Sequence, residues 1–236
     1  TDPFSLLQGK TSCHTGWLKS AGMLLPMGYL IGNGYADVVG DGDDVSSLRN
    51  TIYAFFNENA SIPESGTPYY GYSGAVKCLS EGFGDVAFAK DSTIASYCDN
   101  ENPADNEAWC LEMDQYVALP AFGKAPSHPV MYNPDYLNMQ SRTAVLNALM
   151  SLNNQMYLEN YTMRGETYTG CYDITVHQID STLEKNQCGD EILLNVLNTP
   201  GLTRVNTQEH LGSYSSLIVN IPGISAYYGE KFDINS

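Results

Sequence analysis

The segment Tyr69–Ile94, YYGYSGAVKCLSEGFGDVAFAKDSTI, constrains the fold more than any other stretch of the chain. Three tyrosines stand in four positions, and a run of helical character follows over Gly74–Leu79. A short apolar stretch, Val86–Ala89, then lies between Asp85 and Lys90. Four apolar residues bounded by charge read as a strand buried on both faces, the kind found in parallel sheets. Helical and strand-like segments alternate along the rest of the chain. The alternation predicts an α/β architecture with a mixed, mostly parallel sheet flanked by helices.

Composition narrows the function classes. The chain has 236 residues, enough for one large domain or two small ones. Its net charge of −16, with only 11 lysines and arginines, excludes nucleic acid as a partner, because nothing would neutralise the phosphates. The same balance disfavours anionic lipid and favours a salty or extracellular medium. No apolar run approaches the roughly 20 residues that cross a bilayer. The opening residues, TDPFSLLQGK, lack a basic n-region and an apolar h-region, as expected of a mature chain or a fragment. Cysteines at 13, 78, 98, 110, 171 and 188 form no C-x-x-C pair. An even count without that spacing points to disulfides in an oxidising compartment and leaves their pairing open. Asn59–Ala60–Ser61 and Asn160–Tyr161–Thr162 are glycosylation acceptor patterns, in keeping with secretion. There is no G-x-S-x-G nucleophile elbow, and nothing marks the chain as an enzyme.

Taken in order, a helix is expected to start near Ser20–Ala21–Gly22, with Ser20 as N-cap, and to kink or end around Pro26. A glycine-rich acidic loop spans residues 32–47. Its DGDD lacks the full twelve-residue calcium pattern. Leu48–Phe56 reads as a short amphipathic helix, Tyr116–Leu119 as a strand, and Lys124–Tyr132 as an extended crossing segment barred from helix by its prolines. Cys98 and Cys110 are placed to staple the acidic loop between them. Arg142–Leu158 carries the clearest helical periodicity. Thr167–Val176 and Ile192–Val196 fit strand or short helix equally. The apolar tail Leu217–Phe232 turns at Pro222–Gly223.

One constellation carries chemistry. Ferric iron is small, hard and highly charged, so it prefers anionic oxygen such as phenolate and carbonate, with imidazole as an occasional partner. It can displace a phenol proton at neutral pH, because metal binding releases ligand protons. The resulting excess negative charge must be met by a cation and by backbone N–H groups, which a helix N-terminus supplies. Thr15, Lys19 and the amides of Ala21 and Gly22 make such a set: a hydroxyl donor, a cation and a helix start.

SCHTGWLKSAGMLLPMGYL, YYGYSGAVKCLSEGFGDVAFAKDST and APSH resemble three ordered blocks of a transferrin half-lobe. The resemblance is strong over residues 9–130 and weaker over 140–236. It implies a periplasmic-binding-protein-like fold, with 1–128 as the second domain of a lobe and 129–236 as hinge and remainder, including an incomplete first domain. It implies Tyr72 and His128 as ligands of Fe3+. Thr15, Lys19, Ala21 and Gly22 would hold the carbonate, and Lys90 would be one of a lysine pair that assists release on acidification. It also implies a Cys13–Cys78 disulfide. The family's cysteine shortly before Pro-Ser-His is absent here, which leaves Cys98–Cys110 and Cys171–Cys188. The family usually has arginine at Lys19, and lysine keeps the charge but loses the planar fork. In the family an aspartate and a first tyrosine precede the SCHT block, and this chain starts just before that block. Either the chain lacks the first part of its lobe, or Tyr132, Tyr69 or Tyr70 stands in. The acidity and the lysine point toward the algal phytotransferrin branch, which captures iron at the cell surface. The function implied is carbonate-dependent ferric iron binding for uptake or transport. The protein would be secreted or cell-surface and open to endocytosis, with any receptor or membrane anchor outside this chain. The alternative is a transferrin-fold protein that has lost iron and acts as an interaction or inhibitor module.

Overall fold

The computed structural model describes residues 2–133 and 135–228. Two units divide the chain: one runs to Ser127 and resumes at Asn206, and the other is His128–Val205.

The first unit is framed by a minimal parallel pair. β1 (Ser12–Cys13) lies beside β2 (Val86–Ala87), with Ser12 opposite Val86 and Cys13 opposite Ala87. Parallel strands need a long crossover, and here it is helical. A π-helical turn over Ser20–Leu24 runs on as α1 (Leu25–Gly32), followed by α2 (Ser47–Phe55) and α3 (Gly71–Ser80), while α4 (Thr93–Cys98) comes after β2. The strand expected at Val86–Ala89 is present, parallel and shorter than the apolar run, with only Phe88 of that run fully buried.

The helix after Lys19 departs from expectation twice. Ser20 does not cap it: Lys19 occupies that position, and the Ser20 hydroxyl instead bonds the Tyr214 hydroxyl at 2.9 Å. Of the expected kink or end around Pro26, the end does not occur: the helix changes from π to α just before the proline and runs on to Gly32. Its first turn is widened, with the Leu24 amide reaching the Lys19 carbonyl five residues back at 3.0 Å. Pro26 has no N–H for the Gly22 carbonyl four residues behind it. That carbonyl accepts from His14 Nδ1 at 2.8 Å, so the chain passes the proline without leaving this polar group unpaired.

In the second unit, Asn138 caps α5 (Met139–Ser151) by accepting from the Ser141 amide at 2.9 Å. The helix expected over Arg142–Leu158 therefore begins earlier and stops at Ser151. After a 3-10 turn at Leu152–Asn154 the chain becomes β3 (Gln155–Met163), rich in residues that fit a pleated surface. β3, β4 (Glu166–Asp173) and β5 (Gln178–Asp180) form an antiparallel meander in that order. The expected mostly parallel sheet is thus corrected: among the described residues the larger sheet is antiparallel, joined by connections of two and four residues that need no crossover. Of the two undecided segments, one is β4 and the other lies mainly in α6 (Gly189–Asn195). Tyr116–Leu119 is not a strand. Tyr116 instead bonds through its hydroxyl to Ser80 Oγ at 2.7 Å and to the Leu111 amide at 3.0 Å.

The tail returns to the first unit as α7 (Thr207–Ile218) and α8 (Ile224–Tyr228), with the turn at Pro222–Gly223 between them. The part of the expected apolar tail beyond Tyr228 lies outside the described residues. α7 approaches α1 closely: a Cβ at Gly28 would stand 2.3 Å from the Leu217 carbonyl oxygen. The core gathers Met23, Leu24, Met27 and Leu30, the Leu48–Ile52–Phe55 face of α2, Phe88, and Ile218, Ile221 and Ile224. Disulfides join Cys13–Cys78, Cys98–Cys110 and Cys171–Cys188, the three pairings the resemblance implied.

Candidate anion and metal site

β1 leads directly into the polar centre of the first unit. Cys13 ties it to α3, and His14 lies buried between Phe88, stacked at 5.2 Å, and Phe56, edge-on at 5.8 Å. The Gly22 carbonyl can only accept, so His14 Nδ1 carries the proton and Nε2 accepts from the Ser12 hydroxyl at 3.0 Å. Burial pushes the imidazole down to about 4, the bond to Gly22 pulling the other way. His14 is therefore neutral and structural, a strut between β1 and the helix start.

Thr15 follows it and is 2% exposed, yet its Oγ1 has no hydrogen-bond partner among the described residues. Leaving a buried hydroxyl unpaired costs roughly 1–3 kcal/mol. It faces Gly22 so closely that a Cβ there would lie 2.0 Å from Oγ1. Only glycine permits this approach. The Met23 and Leu24 amides both take the Lys19 carbonyl, at 2.9 and 3.0 Å. Helix geometry then gives the Ser20, Ala21 and Gly22 amides no intrahelical acceptor. A partnerless hydroxyl beside a helix N-terminus can offer several donors to a small acceptor-only anion such as carbonate. The chain enters the helix through Leu18, held at φ 55°, which costs a branched side chain on the order of 1 kcal/mol.

The three tyrosines of the YYGY stretch each face a lysine. Lys77 Nζ lies 5.8 Å from the Tyr69 ring centroid, Lys19 Nζ 5.1 Å from that of Tyr70, and Lys90 Nζ 4.9 Å from that of Tyr72. In a chain with 11 basic residues against 27 acidic ones, three cations gather beside this short stretch, one of them, Lys77, paired with Glu81 at 3.8 Å. The phenols are not equivalent. Tyr69 donates to Glu81 at 2.8 Å, and that bond raises its pKa and keeps it protonated. The Lys19 ammonium at the Tyr70 oxygen, aided by Ser65, draws that phenol below its ordinary value. Tyr72 stands half-buried in the first turn of α3, whose N-terminus is tied to Thr15 by the Gly71 amide bonding its carbonyl at 2.9 Å.

The structure therefore brings Thr15, Lys19, Ala21, Gly22, Tyr72 and Lys90 into one unit. His128 opens the other unit and is exposed. Tyr132 is also in that unit, its hydroxyl accepting from Arg142 at 2.7 Å. Among the described residues no three His, Cys, Asp or Glu side chains cluster to hold a metal, and the DGDD loop is no exception. The sequence offered Tyr70 as a substitute ligand, not as a lysine's partner, and Gly16 had no role assigned. A Cβ on Gly16 would lie 2.6 Å from Tyr70 Cε2, so this glycine after Thr15 was the available sign that a ring packs there.

Comparison with known proteins gives a family match over the first half of the chain. A family model described as Transferrin matches residues 3–67 and, overlapping it, 58–131. The chain is 35% identical over 149 residues to serotransferrin of Oryctolagus cuniculus, covering 53% of this chain and 20% of that protein. It is 33% identical over 158 residues to lactotransferrin of Homo sapiens, covering 55% and 21%. Against ovotransferrin of Gallus gallus it is 36% identical over 157 residues, again covering 55% and 21%. The chain thus spans about a fifth of the length of these relatives.

Proposed function

Because the chain belongs to the transferrin family, we propose that it binds ferric iron together with carbonate and gives the metal up on acidification. One observation carries this reading: the buried, partnerless Thr15 hydroxyl pressed against Gly22 at a helix start. Carbonate would dock there first, on Thr15, Lys19 and the Ala21 and Gly22 amides, offsetting their positive character. Tyr72 would then supply a phenolate and His128 an imidazole to the iron, with the remaining ligands drawn from elsewhere in a lobe of periplasmic-binding-protein-like fold. Lys90, over the Tyr72 ring, would favour the phenolate at uptake and oppose the bound metal's positive charge at release. Protonation of carbonate and of the imidazole removes two ligands, so low pH empties the site. The disulfides and the acidic surface suit a secreted or cell-surface setting. Among the described residues no helix is long and apolar enough to cross a membrane.

A second reading has its own support. Lys19 replaces the planar guanidinium, and no acidic or histidine cluster completes a metal site among the described residues. On this reading the chain keeps the transferrin fold and acts through protein contacts. Equilibrium dialysis against ferric nitrilotriacetate decides between them. The iron reading predicts stoichiometric retention at neutral pH only when bicarbonate is present, and loss on acidification. Absence of retention with bicarbonate favours the interaction module.

A further inference from the structure

We propose that Tyr70 is the residue that positions Lys19 at the anion pocket. This rests on the carbonate reading above. A lysine ammonium is a point charge on a flexible four-carbon stem, and fixing it costs side-chain entropy that a planar guanidinium fork recovers through paired bonds. Lys19 is exposed and sits at the N-cap of the helix that starts at Ser20, so something must hold its charge where an anion would arrive. Neither ion pair among the described residues includes it, although the chain carries 27 acidic side chains. Its contact is instead Tyr70, whose ring centroid lies 5.1 Å away and whose phenol oxygen the ammonium also approaches.

Tyr70 is itself fixed from below. Its ring lies against Gly16, the residue after Thr15, where a Cβ would intrude to 2.6 Å. The next residue, Gly71, bonds the Thr15 carbonyl through its amide at 2.9 Å. A continuous path of contacts therefore runs from the Thr15–Gly16 backbone through the Tyr70 ring to the ammonium. The other two tyrosine–lysine pairs are engaged differently. Lys77 and Tyr69 share Glu81, the lysine at 3.8 Å and the phenol at 2.8 Å, and Lys90 faces the proposed ligand Tyr72. An aromatic face attracts an ammonium without neutralising it, which leaves the charge and its hydrogens available to an incoming anion.

Metal-free titration with bicarbonate tests this in the wild type, Tyr70→Leu, Tyr70→Phe, Lys19→Met and the Tyr70→Leu/Lys19→Met double variant, with circular dichroism confirming that each is folded. Tyr70→Leu is expected to weaken bicarbonate roughly fivefold, the scale of a lost cation–π contact. Tyr70→Phe, which keeps the ring, should restore most of that loss. In the Lys19→Met background Tyr70→Leu should add nothing, because Tyr70 acts through the lysine. Unchanged affinity in Tyr70→Leu, or an equal loss with and without Lys19, overturns this inference alone. A wild type that binds no bicarbonate overturns the carbonate reading and this inference with it.

Discussion

Thr15 and His14 are adjacent, and their buried polar atoms have opposite fates. Both ring nitrogens of His14 are satisfied, while Thr15 Oγ1 is not. Thr15→Val keeps the shape and removes the unpaired hydroxyl, so the anion-free protein should gain about 1 kcal/mol in denaturant unfolding while its bicarbonate affinity falls. A loss of stability would mean that the hydroxyl has a partner after all. His14 sets a pH dependence whose sign follows from its burial. The unfolded imidazole takes a proton near 6.5 and the native one only near 4. Stability from this group is therefore complete above pH 6.5 and lost as the pH falls toward 4, by on the order of 3 kcal/mol. His14→Gln should flatten that slope in unfolding curves, and an unchanged slope would assign it to other groups. At this scale the sequence was legible where a residue type has one use. A hydroxyl and a glycine expected at one helix start do meet there, Thr15 Oγ1 against Gly22. The pairing of Lys19 with Tyr70 was not legible, because it depends on a ring from another loop lying on Gly16.

At the scale of elements, α1 and α7 approach closely in the first unit, and Gly28 makes it possible. An alanine there would place its methyl 2.3 Å from the Leu217 carbonyl, so one helix must shift. Gly28→Ala should cost roughly 1–3 kcal/mol in urea unfolding, as overpacking does. A neutral result would show that α7 can slide along α1. The second unit shows where periodicity misleads. Leu149, Leu152 and Met156 continue a helical spacing past Ser151, but Tyr157, Leu158, Tyr161 and Thr162 prefer a pleated strand, and the antiparallel partner β4 decides the matter. α5 accordingly has no fully buried residue, despite an apolar pattern that reads as a core face. Pro26 misled in the other direction. The proline rule assumes that a lost amide leaves a carbonyl unpaired, and here His14 fills the vacancy from a different element.

For the whole molecule, the family followed from ordered blocks of residues, and the three disulfide pairings from the resemblance those blocks carry. The return of the tail at Asn206 to the first unit did not, because that contact spans nearly the full sequence and leaves no local mark. A net charge of −16 would by itself repel carbonate and attract iron indiscriminately. Lys19 over Tyr70 and Lys90 over Tyr72 set cations beside the proposed site, neither of them in an ion pair among the described residues. The most direct test follows the visible tyrosinate-to-iron charge-transfer band on adding ferric nitrilotriacetate, with and without bicarbonate, in the wild type and Tyr72→Phe. A coloured complex is expected only in the wild type and only with bicarbonate. A colourless wild type with bicarbonate present, or an equal band in Tyr72→Phe, would contradict the iron reading.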